Sequence, residues 1–115
     1  MHIWVDADAC PVQVKELLFR TATRRGVPLT LVANQSIRVP NSDLIDCLVV
    51  SSGMNMADRR IVELASPGDL VITADIPLAA AVVDQGASAL NPRGELYTEE
   101  NIGARLAERN LVDTL

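Results

Sequence analysis

Two stretches of the chain share a plan. Ile3-Trp4-Val5 runs into Asp6-Ala7-Asp8-Ala9-Cys10-Pro11, and Leu70-Val71-Ile72 runs into Thr73-Ala74-Asp75-Ile76-Pro77. Each is a short apolar segment that stops at acidic residues and turns into a helix-forming sequence. If the two segments are parallel neighbours, their carboxylates meet. Asp58, near the start of another helical segment, adds a further carboxylate. Such groups repel one another, and the cluster persists when a cation sits among them or when protons are taken up. Oxygen-only ligands without histidine suit a hard ion, Mg²⁺ or Mn²⁺. An ion held by Asp side chains commonly serves phosphate chemistry, as a Lewis acid and a source of activated water. Asp6, Asp8, Asp58 and Asp75 are therefore the expected metal and catalytic set. The competing reading is capping, because Asp8, Asp58 and Asp75 each stand near a helix start.

The elements that must position these residues are legible as apolar runs and periodicity. Strands are expected at 2–6, 29–33, 47–50, 70–73 and 87–90. Helices are expected at 12–25, at 55–65, from Pro77 to just before Gly86, and from the cap Thr98 to about Arg109. Gly26 and Pro28 end the first helix. Residues 37–45 hold a turn signal, Pro40-Asn41-Ser42-Asp43, with room for one short helical turn. No repeat, low-complexity tract or linker interrupts the pattern. Strands alternate with helices and lack polar alternation, which predicts an α/β fold with a mainly parallel sheet of about five strands, covered on both faces.

In such sheets, sites form beyond the carboxyl ends of the strands, near the switch in strand order. The first strand leads to Asp6 and Asp8, and the second to Asn34 and Gln35. The third leads to Ser51, Ser52, Asn55 and Asp58, the fourth to Thr73 and Asp75, and the fifth to Asn91 and Arg93. Every strand end is polar and three carry Asp.

Composition narrows the setting. A chain of 115 residues, 49% hydrophobic, is one domain with a real core, built of Val, Ile, Leu and Ala because aromatics are scarce. No apolar run is long enough to span a bilayer, and the N-terminus does not read as a signal peptide. Cys10 and Cys47 form no zinc or redox spacing, which fits a cytoplasmic protein with reduced thiols. Cys10, beside the proposed site, reads as a packing residue rather than a nucleophile. The net charge of −5 argues against duplex binding through bulk charge. It leaves room for a nuclease, whose acidic ligands lower the total. The basic residues are almost all Arg, suited to phosphate, although Arg24-Arg25 and Arg59-Arg60 read equally well as solvated helix faces.

Four motifs carry a family resemblance. They are Val5-Asp6-Ala7-Asp8-Ala9-Cys10-Pro11, Leu31-Val32-Ala33-Asn34-Gln35-Ser36, the run from Gly68 to Ala79, and Leu90-Asn91-Pro92-Arg93-Gly94. Together they resemble the YaiI/YqxD family of bacterial proteins, over essentially the whole chain. That family is uncharacterised in function and is grouped with PIN-like domains, many of them Mg²⁺- or Mn²⁺-dependent ribonucleases. The resemblance implies a three-layer PIN-like α/β/α sandwich. It maps the PIN acidic positions onto Asp6, Asp58 and Asp75, with Asp8 as a fourth member. Two departures stand out. Asn55 occupies a position where the family usually has Asp, so it offers a carbonyl oxygen to a metal but no charge. The family also usually runs on beyond the point where this chain stops.

The leading expectation is a metal-dependent phosphodiesterase acting on RNA or another single-stranded nucleic acid. Asn34, Gln35, Ser51 and Thr73 would bond phosphate oxygens or waters, and Arg38 and Arg93 would steady the substrate backbone. The plain alternative for these polar residues is turn hydrogen bonding. Of the aromatics, Trp4 and Phe19 read as core, which limits base stacking. A second possibility is a phosphatase of the haloacid dehalogenase type, whose nucleophile motif fits Asp6-x-Asp8. It also needs a Lys near the phosphate, and the lone Lys15 lies within the first helix. A third is a non-catalytic metal- or nucleic-acid-binding regulatory module. Oligomeric state is open.

Overall fold

The computed structural model describes residues 1–53 and 55–114, the side chains of 109–114 excepted. In chain order the elements are β1 (Ile3–Asp6), a 3-10 turn (Ala7–Ala9), α1 (Val12–Arg25), β2 (Leu29–Ala33), β3 (Ile45–Val49) and α2 (Met56–Leu64). There follow β4 (Leu70–Ile72), α3 (Ile76–Asp84), β5 (Ser88–Leu90), β6 (Leu96–Tyr97) and α4 (Glu99–Thr114). One six-stranded sheet has the order β3-β2-β1-β4-β5-β6. All neighbours are parallel except β5 and β6, which form an antiparallel hairpin. β1 lies inside the sheet, with Val5 opposite both Leu31 and Ile72.

Successive strand residues face opposite sides of a sheet, and both sides here are apolar. Ile3, Val5, Leu29, Leu31 and Ile72 pack with Ala22, Leu18 and Phe19 of α1. Trp4, Val32, Val71 and Ala89 pack with Ile61 of α2, Leu78, Ala79 and Val82 of α3, and Ile102 of α4. The result is a three-layer α/β/α sandwich. β2 is buried at every position, which is why its sequence shows no polar alternation. Gly26 closes α1 in the left-handed conformation (φ +66°), its N–H bonded to the Ala22 carbonyl.

Four local expectations need correction. The sheet has six strands: β6 is two residues long and exists because the Asn91–Gly94 turn folds it back on β5. β3 spans Ile45–Val49 rather than 47–50, because the Leu44 carbonyl accepts from Leu29 N and starts the ladder early. Residues 37–45 hold no helix, only a single turn at Asp43-Leu44 closed by Ile45 N on the Ser42 carbonyl (3.4 Å). β4 ends at Ile72: the Thr73 amide still bonds the Leu90 carbonyl, but the Thr73 hydroxyl accepts from the Asp75 amide and starts the next turn.

At the amino ends of the strands, Asp69 is buried and acts as a polar tie. It accepts from the backbone of His2 (3.0 Å) and Ser66 (2.9 Å) and from Trp4 Nε1 (3.0 Å). The His2 ring stacks on Trp4 at 3.9 Å and bonds Thr30 Oγ1, whose hydroxyl donates to Asp46. Trp4 is thus core, as its sequence context suggests. Among the described residues, no helix is long and apolar enough to cross a membrane.

Candidate carboxylate site

β1 is followed in the chain by β2 on one side and pairs with β4 on the other, so the connections leaving β1 and β4 diverge. This is the switch in strand order, where a crevice opens beyond the strand ends. The turn after β1 carries Asp6 and Asp8. The turn after β4 carries Thr73 and Asp75. The first turn of α2 brings Asp58.

Thr73 is the joint between the two strand ends. Buried to 1% exposure, its hydroxyl donates to Asp6 Oδ2 (2.9 Å) and accepts from the Asp75 amide (3.0 Å). Asp75 Oδ1 accepts from Leu78 N (2.9 Å) and caps α3, with Pro77 in the first turn. Asp58 lies within hydrogen-bonding reach of Asp75. Asp75 therefore both caps a helix and joins the cluster; the two readings of the sequence coexist in one side chain. Asp8 caps no helix: it lies in the 3-10 turn, and its Oδ2 accepts from the Asn34 amide (3.0 Å).

The electrostatics follow from this crowding. Burial, then the charges of Asp75 and Asp6 and the hydrogen bond to Asp75, push the Asp58 carboxyl up to about 6. Burial also raises Asp6, opposed by the Thr73 hydroxyl and helped by the charges of Asp75 and Asp8. The Cys10 thiol is buried and pushed up by burial, opposed by Lys15, so it is a packing group rather than a nucleophile.

Asp58, Asp75 and Asn55 line two adjoining pockets. One, of about 220 Å³, is also lined by Asp8, Asn34 and Ser51. The other, of about 580 Å³, runs between α2 and α3 past Arg59 and Glu63. Asn55 opens α2 in the left-handed conformation (φ +63°), without a side-chain capping bond. Three expected substrate contacts fall elsewhere. Gln35 and Arg38 are exposed and line neither pocket, because the irregular segment after β2 packs Ile37 and Val39 against the core and leaves Gln35 and Arg38 on its outer side. Arg93 belongs to a different pocket, carried there by the β5–β6 hairpin. Arg59 is the basic residue that the sequence reading missed. Its position directly after Asp58 was the available signal, obscured by the solvated-face reading of Arg59-Arg60.

The donor set is all oxygen and so matches a hard divalent ion. Among the described residues, no three His, Cys, Asp or Glu side chains are gathered into an ion-holding array. What is gathered is a pair, Asp58 and Asp75, with Asp6 close enough to raise Asp58. A pair in which one carboxyl titrates near 6 accepts either a proton or a cation.

A sequence profile described as "Uncharacterized BCR, YaiI/YqxD family" matches residues 4–115. The "UPF0178 protein" of Maridesulfovibrio salexigens is 61% identical over 115 residues, covering 100% of this chain and 76% of that protein. The relative in Thioalkalivibrio sulfidiphilus is 62% identical, with 100% and 78% covered. The relative in Shewanella loihica is 59% identical, with 100% and 77% covered. No solved structure matches. A profile match over nearly every residue and relatives at about three-fifths identity leave one conclusion: the chain belongs to the YaiI/YqxD family of uncharacterised bacterial proteins.

Proposed function

We propose that the chain is a Mg²⁺- or Mn²⁺-dependent phosphodiesterase on a PIN-like scaffold, acting on RNA or another single-stranded nucleic acid. The observation that carries this reading is the Asp58–Asp75 pair at the switch in strand order, lining both pockets, with Asp6 tied to the same turn through Thr73 and Asp58 raised to about 6. Asp58 and Asp75 would hold the ion, joined by Asp6 and the Asn55 carbonyl oxygen. Bound there, it supplies Lewis acidity and lowers the pKa of water. The protein's own part is positioning. Thr73 fixes the Asp6 carboxylate relative to Asp75. Asp8, with one oxygen held by the Asn34 amide, has the other to orient water. Arg59 lies on the pocket wall, where a phosphate oxygen can be met.

Two observations favour a second reading, a non-catalytic metal- or nucleic-acid-binding regulatory module. The carboxylates are gathered as a pair rather than a triad, and Asn55 adds no charge. The phosphatase alternative is weaker, because Lys15 sits in α1 and lines neither carboxylate pocket.

Calorimetric titration with Mn²⁺ of the wild type and of Asp6→Asn/Asp75→Asn, followed by turnover of single-stranded RNA and DNA, separates the readings. Binding and cleavage that both vanish in the double variant support the nuclease. Binding without cleavage supports the regulatory module. No binding at millimolar Mn²⁺ sinks the metal site.

A further inference from the structure

A pocket of about 410 Å³ lies beside the carboxylates but is separate from them. Ala74 and Ile76 line it, while Asp75 between them lines the carboxylate pockets. The opposite wall is the β5–β6 hairpin, with Arg93, Tyr97 and Arg105 of α4. Arg93 stands on a fixed turn: Asn91 Oδ1 accepts from the amides of Arg93 (2.9 Å) and Glu95 (3.0 Å), and Gly94 N bonds the Asn91 carbonyl (2.9 Å). Among the described residues no carboxylate pairs with Arg93, whereas Arg105 pairs with Glu95. The Arg105 guanidinium lies 5.8 Å from the centre of the Tyr97 ring. Pro11 forms a further wall where α1 begins. That helix starts with neither a side-chain cap nor an acidic residue in its first turn, so its dipole adds some positive potential, partly offset by the Asp6 charge that reaches Cys10. The lining thus offers the Arg93 guanidinium beside the apolar surfaces of Pro11, Pro92 and Ile76, with the Glu95 carboxylate on the same wall already paired to Arg105, in a protein of net charge −5.

We infer that this pocket binds a nucleotide unit, its phosphate on Arg93 and its sugar and base against Pro11, Ile76 and the Arg105 guanidinium that lies over the buried Tyr97 ring. The guanidinium fork matches a phosphate, and arginine and proline surfaces accept a base without reading its edges. The choice of a nucleotide rests on the nucleic-acid reading of the neighbouring site, so the test excludes metal and the two can fail separately.

The experiment is an NMR titration, in chelator, with AMP and UMP, and with adenosine and inorganic phosphate as controls. It compares wild type, Arg93→Ala and Asp75→Asn, with the amide fingerprint as the check on folding. Nucleoside monophosphates should bind wild type and Asp75→Asn alike, at least about tenfold more weakly to Arg93→Ala, and more tightly than either control. The largest shifts should fall at residues 91–97. Absence of saturable binding, indifference to Arg93→Ala, or inorganic phosphate binding as tightly as AMP each overturns the inference. Nucleotide binding without any Mn²⁺ binding at the carboxylates keeps the pocket and removes the nuclease; the reverse keeps the metal reading and removes the pocket.

Discussion

The Thr73 hydroxyl lies 2.9 Å from Asp6 Oδ2, across 67 residues of sequence, and is the only side-chain hydrogen bond between the two strand ends among the described residues. Asp6 keeps its place because a buried neighbour donates to it. Thr73→Val keeps the shape and removes the donor. The variant should lose about 1–3 kcal/mol in urea unfolding, because a half-buried carboxylate and the Asp75 amide lose a partner. The Asp6 pKa should climb further, since this bond is what opposes its rise; a carboxyl-carbon NMR titration reads that shift.

Asp58 makes stability depend on pH in an unusual direction. Its folded pKa, about 6, lies above the ordinary Asp value of 3.8. Between the two, the native state holds the proton that the unfolded state has lost, so stability falls as pH rises through about 6. Asp58→Asn should therefore stabilise the metal-free protein at pH 7.5 by roughly 1 kcal/mol after solvent screening, a few degrees in Tm, and change little at pH 4. Thermal melts in chelator at the two pH values check this.

Asp69 should show the opposite sign. Burial pushes its pKa up, but the Ser66 amide, the Trp4 indole, the His2 amide and the His2 ring outweigh it and leave the carboxyl below 3.8. Its stabilisation is full above 3.8 and disappears as pH falls through the folded value. Asp69→Ala strands the Trp4 N–H and should cost about 3 kcal/mol at neutral pH. Denaturant midpoints at pH 7, together with near-UV circular dichroism of the single Trp4, measure it.

If Mn²⁺ takes the place of the shared proton, affinity should fall by up to about tenfold per pH unit below 6. Saturating Mn²⁺ should raise Tm at pH 7.5 and cancel the gain from Asp58→Asn. Melts with and without ion settle this. A Tm that Mn²⁺ leaves unchanged contradicts the site.

The sheet was readable because β1, β2 and β4 are predominantly apolar runs, each followed by polar residues, and Gly26, Pro77 and Gly86 punctuate the helices. β6 was not readable: two residues carry no period, and its partner is chosen by a turn. β3 is an edge strand with exposed Asp46 and Val49, so its boundaries left a weaker trace. The acidic positions were legible as strand ends. Their pairing was not, because it depends on the angle at which α2 approaches α3, which no local pattern states. The same holds for Arg93, whose turn was visible but whose destination was set by the hairpin.

The switch in strand order also governs when the site comes into being. Asp6 is among the first residues made, yet its partner Thr73 arrives only with β4, after three strands and two helices have been synthesised. Closing so long a loop carries an entropic cost, offset by the pairing of β1 with β2 and β4 and by α2 packing on the sheet. A nascent or truncated chain ending before residue 73 holds Asp6 and Asp8 with nothing to complete them. The carboxylate pair is thus a reporter of complete folding, and its titration near 6 vanishes when the chain misfolds.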